Sequence, residues 1–293
     1  MLLYEDHKAV IYALAFAPDG STLASGAKDG TLIRRDANGQ PQSLLERGPL
    51  SSPIHALGYL PNGSALVIGG GFGWLEHRIE GPRTWGVIGP QKAEPVAALA
   101  VLGEQTVVVG IGDRVKRNRG KLELWDLGTG QRRTPYFDEP NGVRAVAVCT
   151  EQRVVAWATG HRKICVWNIV KRSPFELMQP KDCLALALSP DGQHLAAAVD
   201  YSVRLFDLNH RRLRMELKGH KGQVSAVAFS PDGVTIATGS WDQTVKLWDT
   251  ATGQERITFR WPIGRVYCLS YAPDGLRLAA GGDLGRVVVW DLE

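Results

Sequence analysis

A period of about 42 residues limits what this chain can fold into more than any other feature. The turn Pro-Asp-Gly occurs at Pro18-Asp19-Gly20, Pro190-Asp191-Gly192, Pro231-Asp232-Gly233 and Pro273-Asp274-Gly275, with a relaxed form at Pro61-Asn62-Gly63. An aromatic residue before a polar one recurs at Trp125-Asp126, Trp167-Asn168, Phe206-Asp207, Trp248-Asp249 and Trp290-Asp291. Neighbouring copies of the first marker lie 43, 41 and 42 residues apart, and of the second 42, 39, 42 and 42. Two independent markers therefore share one repeat, and ~40–45 residues is the length of a unit of four short strands.

The clearest unit, 219–249, shows how each piece is made. Gln223–Ser230 is an almost continuous apolar run, as expected of a strand covered on both faces. Pro231-Asp232-Gly233 supplies a tight turn: proline fixes φ, aspartate bonds local backbone, and glycine accepts positive φ. Thr235–Gly239 and Thr244–Trp248 are the next two strands, Thr252-Gly253 marks a turn, and Glu255–Phe259 is the fourth strand. No segment sustains a 3.6-residue period, so no helix is predicted. The 293 residues would suffice for two average domains, but the recurring unit assigns them to one all-β domain, 1–293.

With these motifs in constant register, the chain resembles the WD-repeat β-propeller family over its whole length. The resemblance implies seven blades, at about 5–42, 43–82, 83–131, 132–172, 173–212, 213–254 and 255–293, the last joined by 1–4. Blades two to four rest on spacing more than on motif. The last unit stops at Trp290-Asp291-Leu292-Glu293, after its third strand, while Met1–His7 aligns with Met215–His220, where a fourth strand precedes the histidine. Leu2–Tyr4 is therefore expected to complete the last blade, closing the ring and removing an exposed sheet edge.

The resemblance also implies a buried hydrogen-bonded tetrad, carried in unit six by His220, Thr238, Asp242 and Trp248. The chemistry is self-consistent: indole N–H only donates, threonine and histidine do both, and a carboxylate only accepts. Other units depart from it. Unit one keeps His7, Ser25 and Asp29 but has Arg35 for the tryptophan; unit five has Asp200 and Phe206, with Gln179 near the histidine position. Unit seven combines Trp290 with Pro262, Ala280 and Leu284. A His-Thr-Asp relay can also be read as catalytic, but a buried structural network lacks a nucleophile and substrate access. The tetrad is expected to be architecture, and the chain no enzyme.

Other motifs fail on context. Gly69-Gly70-Gly71-Phe72-Gly73 falls at a strand-to-strand turn of unit two, whereas a phosphate-cradling loop leads from a strand into a helix. Cys149, Cys165, Cys183 and Cys268 form no CxxC pair, and His55, His77, His161 and His194 share no ligand spacing, so no metal and no cofactor are expected. The thiols sit in apolar contexts such as Ile164-Cys165-Val166, which fits a reducing, cytoplasmic setting. No apolar run approaches the ~20 residues of a membrane span, and the N-terminus lacks the basic-then-apolar pattern of a signal peptide.

Function is then expected in the loops. The resemblance puts the loops between second and third strands, and those between blades, on one face, the top; the Pro-Asp-Gly turns lie on the bottom with the loops after the third strand. The bottom is mixed in charge: acidic turns carry Asp19, Glu104, Glu151, Asp191, Asp232 and Asp274, against Lys171-Arg172 and His210-Arg211-Arg212. The net charge of +4 names no partner, but the top loop of unit three concentrates it in Arg114, Lys116, Arg117, Arg119 and Lys121. Lys92, Arg144, Arg162, Lys163 and Lys181 are expected nearby. Trp241, Tyr201 and Trp261, with Phe72 and Trp74 beside the unit-two loop, add aromatics of the kind that anchor interfaces, and Trp241 is expected at an exposed turn apex.

The expectation is a non-catalytic interaction scaffold that binds a protein or peptide, an acidic one fitting best, through the top face. The ring itself is expected to be monomeric or part of a hetero-complex, without membrane contact. Two alternatives stand beside this: a nucleic-acid-associated module using the basic loop 114–121, and a regulatory domain of a larger enzyme or signalling protein.

Overall fold

A computed structural model describes residues 1–36, 39–47, 52–71, 75–79, 85–87, 95–112 and 119–292, with backbone alone at 42–47, 75–79 and 85–87. These residues build an all-β propeller of four-stranded antiparallel sheets, seven among the described residues. Sheet six shows the plan: Val224–Phe229, Thr235–Ser240, Thr244–Asp249 and Glu255–Arg260 follow one another across the sheet. Each first strand packs against its neighbours' first strands. These strands are Ile11–Phe16, Ile54–Tyr59, Val96–Val101, Val143–Cys149, Cys183–Leu188, Val224–Phe229 and Val266–Tyr271.

Sequence position sets the layering. Second strands are buried because neighbouring sheets cover both faces; Thr22–Ala27 and Val154–Thr159 are buried along their whole length. Fourth strands face water, as the alternation of Ser173–Met178 and Arg212–Lys218 shows. Small residues in the second strand let the next sheet approach. A Cβ on Gly239 would lie 2.5 Å from Val266 Cγ1, and one on Gly281 would lie 2.8 Å from Ile11 Cγ2. Sheets seven and one therefore meet through the same kind of seam as sheets six and seven.

The N-terminal strand Leu2–Tyr4 pairs antiparallel with Val287–Asp291, in register Leu2 with Val289 and Tyr4 with Val287. The Met1 amino group lies 2.7 Å from Asp291 Oδ2, and Glu5 Oε1 lies 2.7 Å from Arg286 Nε. Arg277 Nη2 donates to Gly20 O at 2.9 Å and Cys268 Sγ to Ile11 O at 3.6 Å, both between the last sheet and the first.

Candidate functional site at the channel mouth

Sheet six holds its predicted polar residues in one network. Trp248 Nε1 donates to Thr238 Oγ1 at 2.8 Å, and Thr238 Oγ1 lies 2.7 Å from His220 Nε2. His220 Nδ1 lies 3.0 Å from Asp242 Oδ2, which also accepts from Lys221 N at 2.7 Å. Because the carboxylate only accepts, Nδ1 carries the proton and Nε2 accepts from threonine. Thr244, which the four-residue pattern omits, bridges Asp242 Oδ1 at 2.6 Å and His220 Nδ1 at 3.1 Å. Burial lowers the His220 pKa, with Asp242 opposing it; hydrogen bonds hold the Asp242 carboxyl down at about 2 against the opposing effect of burial.

Other sheets solve the same problem differently. In sheet one His7 bonds Ser25 Oγ and Thr31 Oγ1, each at 2.7 Å, and Thr31 Oγ1 donates to Asp29. Arg35, buried, pairs with Asp6 and lies 4.4 Å over the Tyr4 ring. Buried Glu139, at the end of the fourth strand of sheet three, takes the histidine's place for sheet four and accepts from Trp157 Nε1 at 2.7 Å. In sheet five Gln179 Oε1 accepts from Arg204 Nη1 at 2.7 Å.

The site itself forms where the first strands begin. Each first strand is interrupted by a β-bulge at its second residue: Tyr12, His55, Ala97, Arg144, Leu184, Ser225 and Tyr267. A bulge breaks alternation and re-aims a side chain. Residues at or next to all these positions line a cavity of about 220 Å³ that all seven first strands share, the central channel. Around its mouth runs an aromatic arc. Trp241 and Tyr267 have ring centroids 6.0 Å apart, Tyr267 and Tyr12 meet edge to face at 5.9 Å, and Tyr12 stacks on His55 at 5.5 Å. The Arg265 guanidinium lies 5.7 Å from the Trp241 ring centroid. Arg144 approaches from the opposite side, 3.2 Å from Asp182 Oδ2.

Several expected docking residues are placed otherwise. Trp241 is not an exposed apex: its ring is half-buried against Tyr267, and its buried Nε1 has no acceptor among the described residues. Trp261 packs on the core of sheet seven, because the turn between blades folds its indole inward. Lys163 is not free either; its Nζ lies 3.1 Å from Glu139 of sheet three and 3.3 Å from Glu176 of its own sheet. Lys181 pairs with Asp200 at 2.6 Å. Tyr201 is 53% exposed, Arg162 and Arg119 are exposed, and Lys121 is half-buried opposite Asp138. Arg114, Lys116, Arg117, Lys92, Phe72 and Trp74 lie outside the described residues. The sequence reading missed Tyr12, His55 and Tyr267, whose signal is a variable residue just after the buried Ile11, Ile54 or Val266 that opens its first strand.

A β-propeller with this polar sheet network is one of the repeat-built interaction folds. A model of the WD domain, G-beta repeat matches residues 2–33, 177–207, 211–249 and 253–291, and the chain belongs to the WD-repeat family. It is similar to Protein groucho of Drosophila melanogaster, 26% identical over 53% of this chain and 23% of that protein. It also resembles WD repeat-containing protein 18 of Rattus norvegicus, 25% identical over 38% of this chain and 26% of the relative. A third relative is the serine-threonine kinase receptor-associated protein of Dictyostelium discoideum, 26% identical over 42% of each. The chain thus spans less than half the length of these curated relatives.

Proposed function

We propose that the chain is a single propeller of seven blades, closed by Leu2–Tyr4, and a non-catalytic scaffold that binds a peptide segment of a partner protein at the channel mouth. The arc of Trp241, Tyr267, Tyr12 and His55 carries this reading. Tryptophan and tyrosine beside arginine are the side chains that dominate interface energies, and they do so best in concave, partly dry settings. His220 and Asp242, by contrast, spend their hydrogen bonds inside the blade. The buried free thiols fit a reducing compartment such as the cytoplasm.

Affinity capture with the whole chain, with Trp241→Ala and with Tyr267→Ala tests the site. A partner held by the first and released by both variants, at unchanged thermal midpoints, is expected; retention by all three overturns the channel-mouth reading. The basic segment 114–121 motivates a second reading, binding to a nucleic-acid backbone. A generic oligonucleotide whose affinity falls steeply with log salt would favour it over a peptide.

A further inference from the structure

At the opposite end of the sheets, where first-to-second and third-to-fourth strand turns lie, sheets four and five differ from the rest. In first-to-second turns the left-handed position is glycine at Gly20, Gly63, Gly192, Gly233 and Gly275, with φ between +67° and +74°, but arginine at Arg153 with φ +52°. In third-to-fourth turns it is glycine at Gly39, Gly130 and Gly253, but arginine at Arg172 and Arg211, with φ +48° and +52°. A left-handed backbone strains any residue with a Cβ. Residues other than glycine with positive φ also occur at the channel-mouth end, at Arg162, Asp200 and Gln243, but at this end every one described is arginine, within two adjacent sheets. Strain concentrated in one chemical type and one sector points to a site.

The same arginines enter no ion pair among the described residues. In sheets three and six the aspartate after the tryptophan binds an arginine of the fourth strand: Asp126 binds Arg133 and Asp249 binds Arg256. Sheet four has Asn168 there, and in sheet five Asp207 is taken by His210 through its backbone N–H at 3.0 Å and ring nitrogen at 2.7 Å. Arg153, Lys171, Arg172, Arg211 and Arg212 are exposed and make no ion pair among the described residues. Between the two sheets lies a cleft of about 200 Å³ whose lining includes Asn168, Lys171, Phe175, Gln193 and Arg211. Its carboxylate, Asp191, is held by Ser189 Oγ at 2.5 Å and Gln193 N at 3.0 Å. Arg211 rests its guanidinium 4.7 Å over the Phe175 ring, which holds it in place without neutralising it. Val170, at the tip of the adjoining turn, is 74% exposed.

From this juxtaposition we infer that the cleft between sheets four and five is a second docking surface, for an acidic segment of a partner protein. One carboxylate enters between Lys171 and Arg211, further acidic groups meet Arg153 and Arg172, and an apolar side chain covers Val170. The surface stands independently of the channel mouth, so its failure and that of the channel-mouth reading are separate results.

The test is fluorescence anisotropy of the whole chain with a labelled peptide of alternating Glu and Leu, its Gln-for-Glu counterpart, and a single-stranded oligonucleotide. Binding of the acidic peptide alone is expected. Arg172→Gly with Arg211→Gly places glycine where the backbone favours it, so the double variant keeps or raises the thermal midpoint while its affinity falls at least tenfold. Trp241→Ala, at the other end, leaves this affinity unchanged. Equal binding of the Gln peptide, tighter binding of the oligonucleotide, displacement by millimolar inorganic phosphate alone, or undiminished affinity in the double glycine variant would each overturn the inference.

Discussion

His7 and His220 occupy equivalent buried positions, yet their surroundings predict different behaviour in acid. Asp242 touches His220 directly, whereas Asp29 reaches His7 through Thr31, so burial acts on His7 with less opposition and lowers its pKa to about 4. The unfolded chain takes up that proton near pH 6.5, the folded one near 4. Between those values the unfolded state binds more protons, so stability is full above 6.5 and falls as pH drops toward 4. The shift corresponds to about 3 kcal/mol. Denaturant midpoints from pH 7.5 to 4.5 should show this loss, and His7→Asn should flatten it; an unchanged slope in the variant counts against the assignment. Removing a partner from the sheet-six network has a different cost. His220→Ala or Asp242→Ala leaves buried groups unpaired and should destabilise by ~1–3 kcal/mol in thermal melts. Burial also pushes the Cys165 and Cys183 thiols up to about 12, so a thiol reagent at pH 8 should reach neither until the chain unfolds. Rapid labelling of the native protein would refute that.

Strand positions were legible because turn chemistry and short apolar runs are written within single segments, as in Pro231-Asp232-Gly233 and Val224–Phe229. Pairings between segments were less so. A bulge is a relation of register between two strands, so nothing within Ile11–Phe16 alone says that Tyr12 is re-aimed into the channel. The same limit hid Glu139 and Trp157, which satisfy each other between sheets three and four although neither fits the His-Thr pattern. It also made Trp241 look exposed, because its cover, Tyr267, comes from the next sheet. The seams between sheets carry their own prediction. Gly281 leaves room for Ile11, and an alanine there must displace its methyl groups. Gly281→Ala should destabilise by ~1–3 kcal/mol, and pairing it with Cys268→Ala, which removes the Sγ that lies 2.8 Å from the added methyl, should cost less than the two changes added in a double-mutant cycle.

For the whole molecule, the question is whether sheets seven and one behave as neighbours like any others. An open array of units gains stability unit by unit and can fray from either end, whereas a ring closed through Leu2–Tyr4 has no end to fray. In the closed case, deleting residues 1–4 strips the hydrogen-bonded edge of Val287–Asp291, in the sheet whose Gly281 meets Ile11 of sheet one. The deletion should lower the midpoint of the entire molecule and, by baring an unpaired strand, promote association at higher concentration. Tryptophan fluorescence and far-ultraviolet circular dichroism should still report one coincident transition for the intact chain and for His220→Ala. If the deletion instead melts only a local step, with the remaining transition at its original temperature, the sheets stand as a linear array and the ring is abandoned.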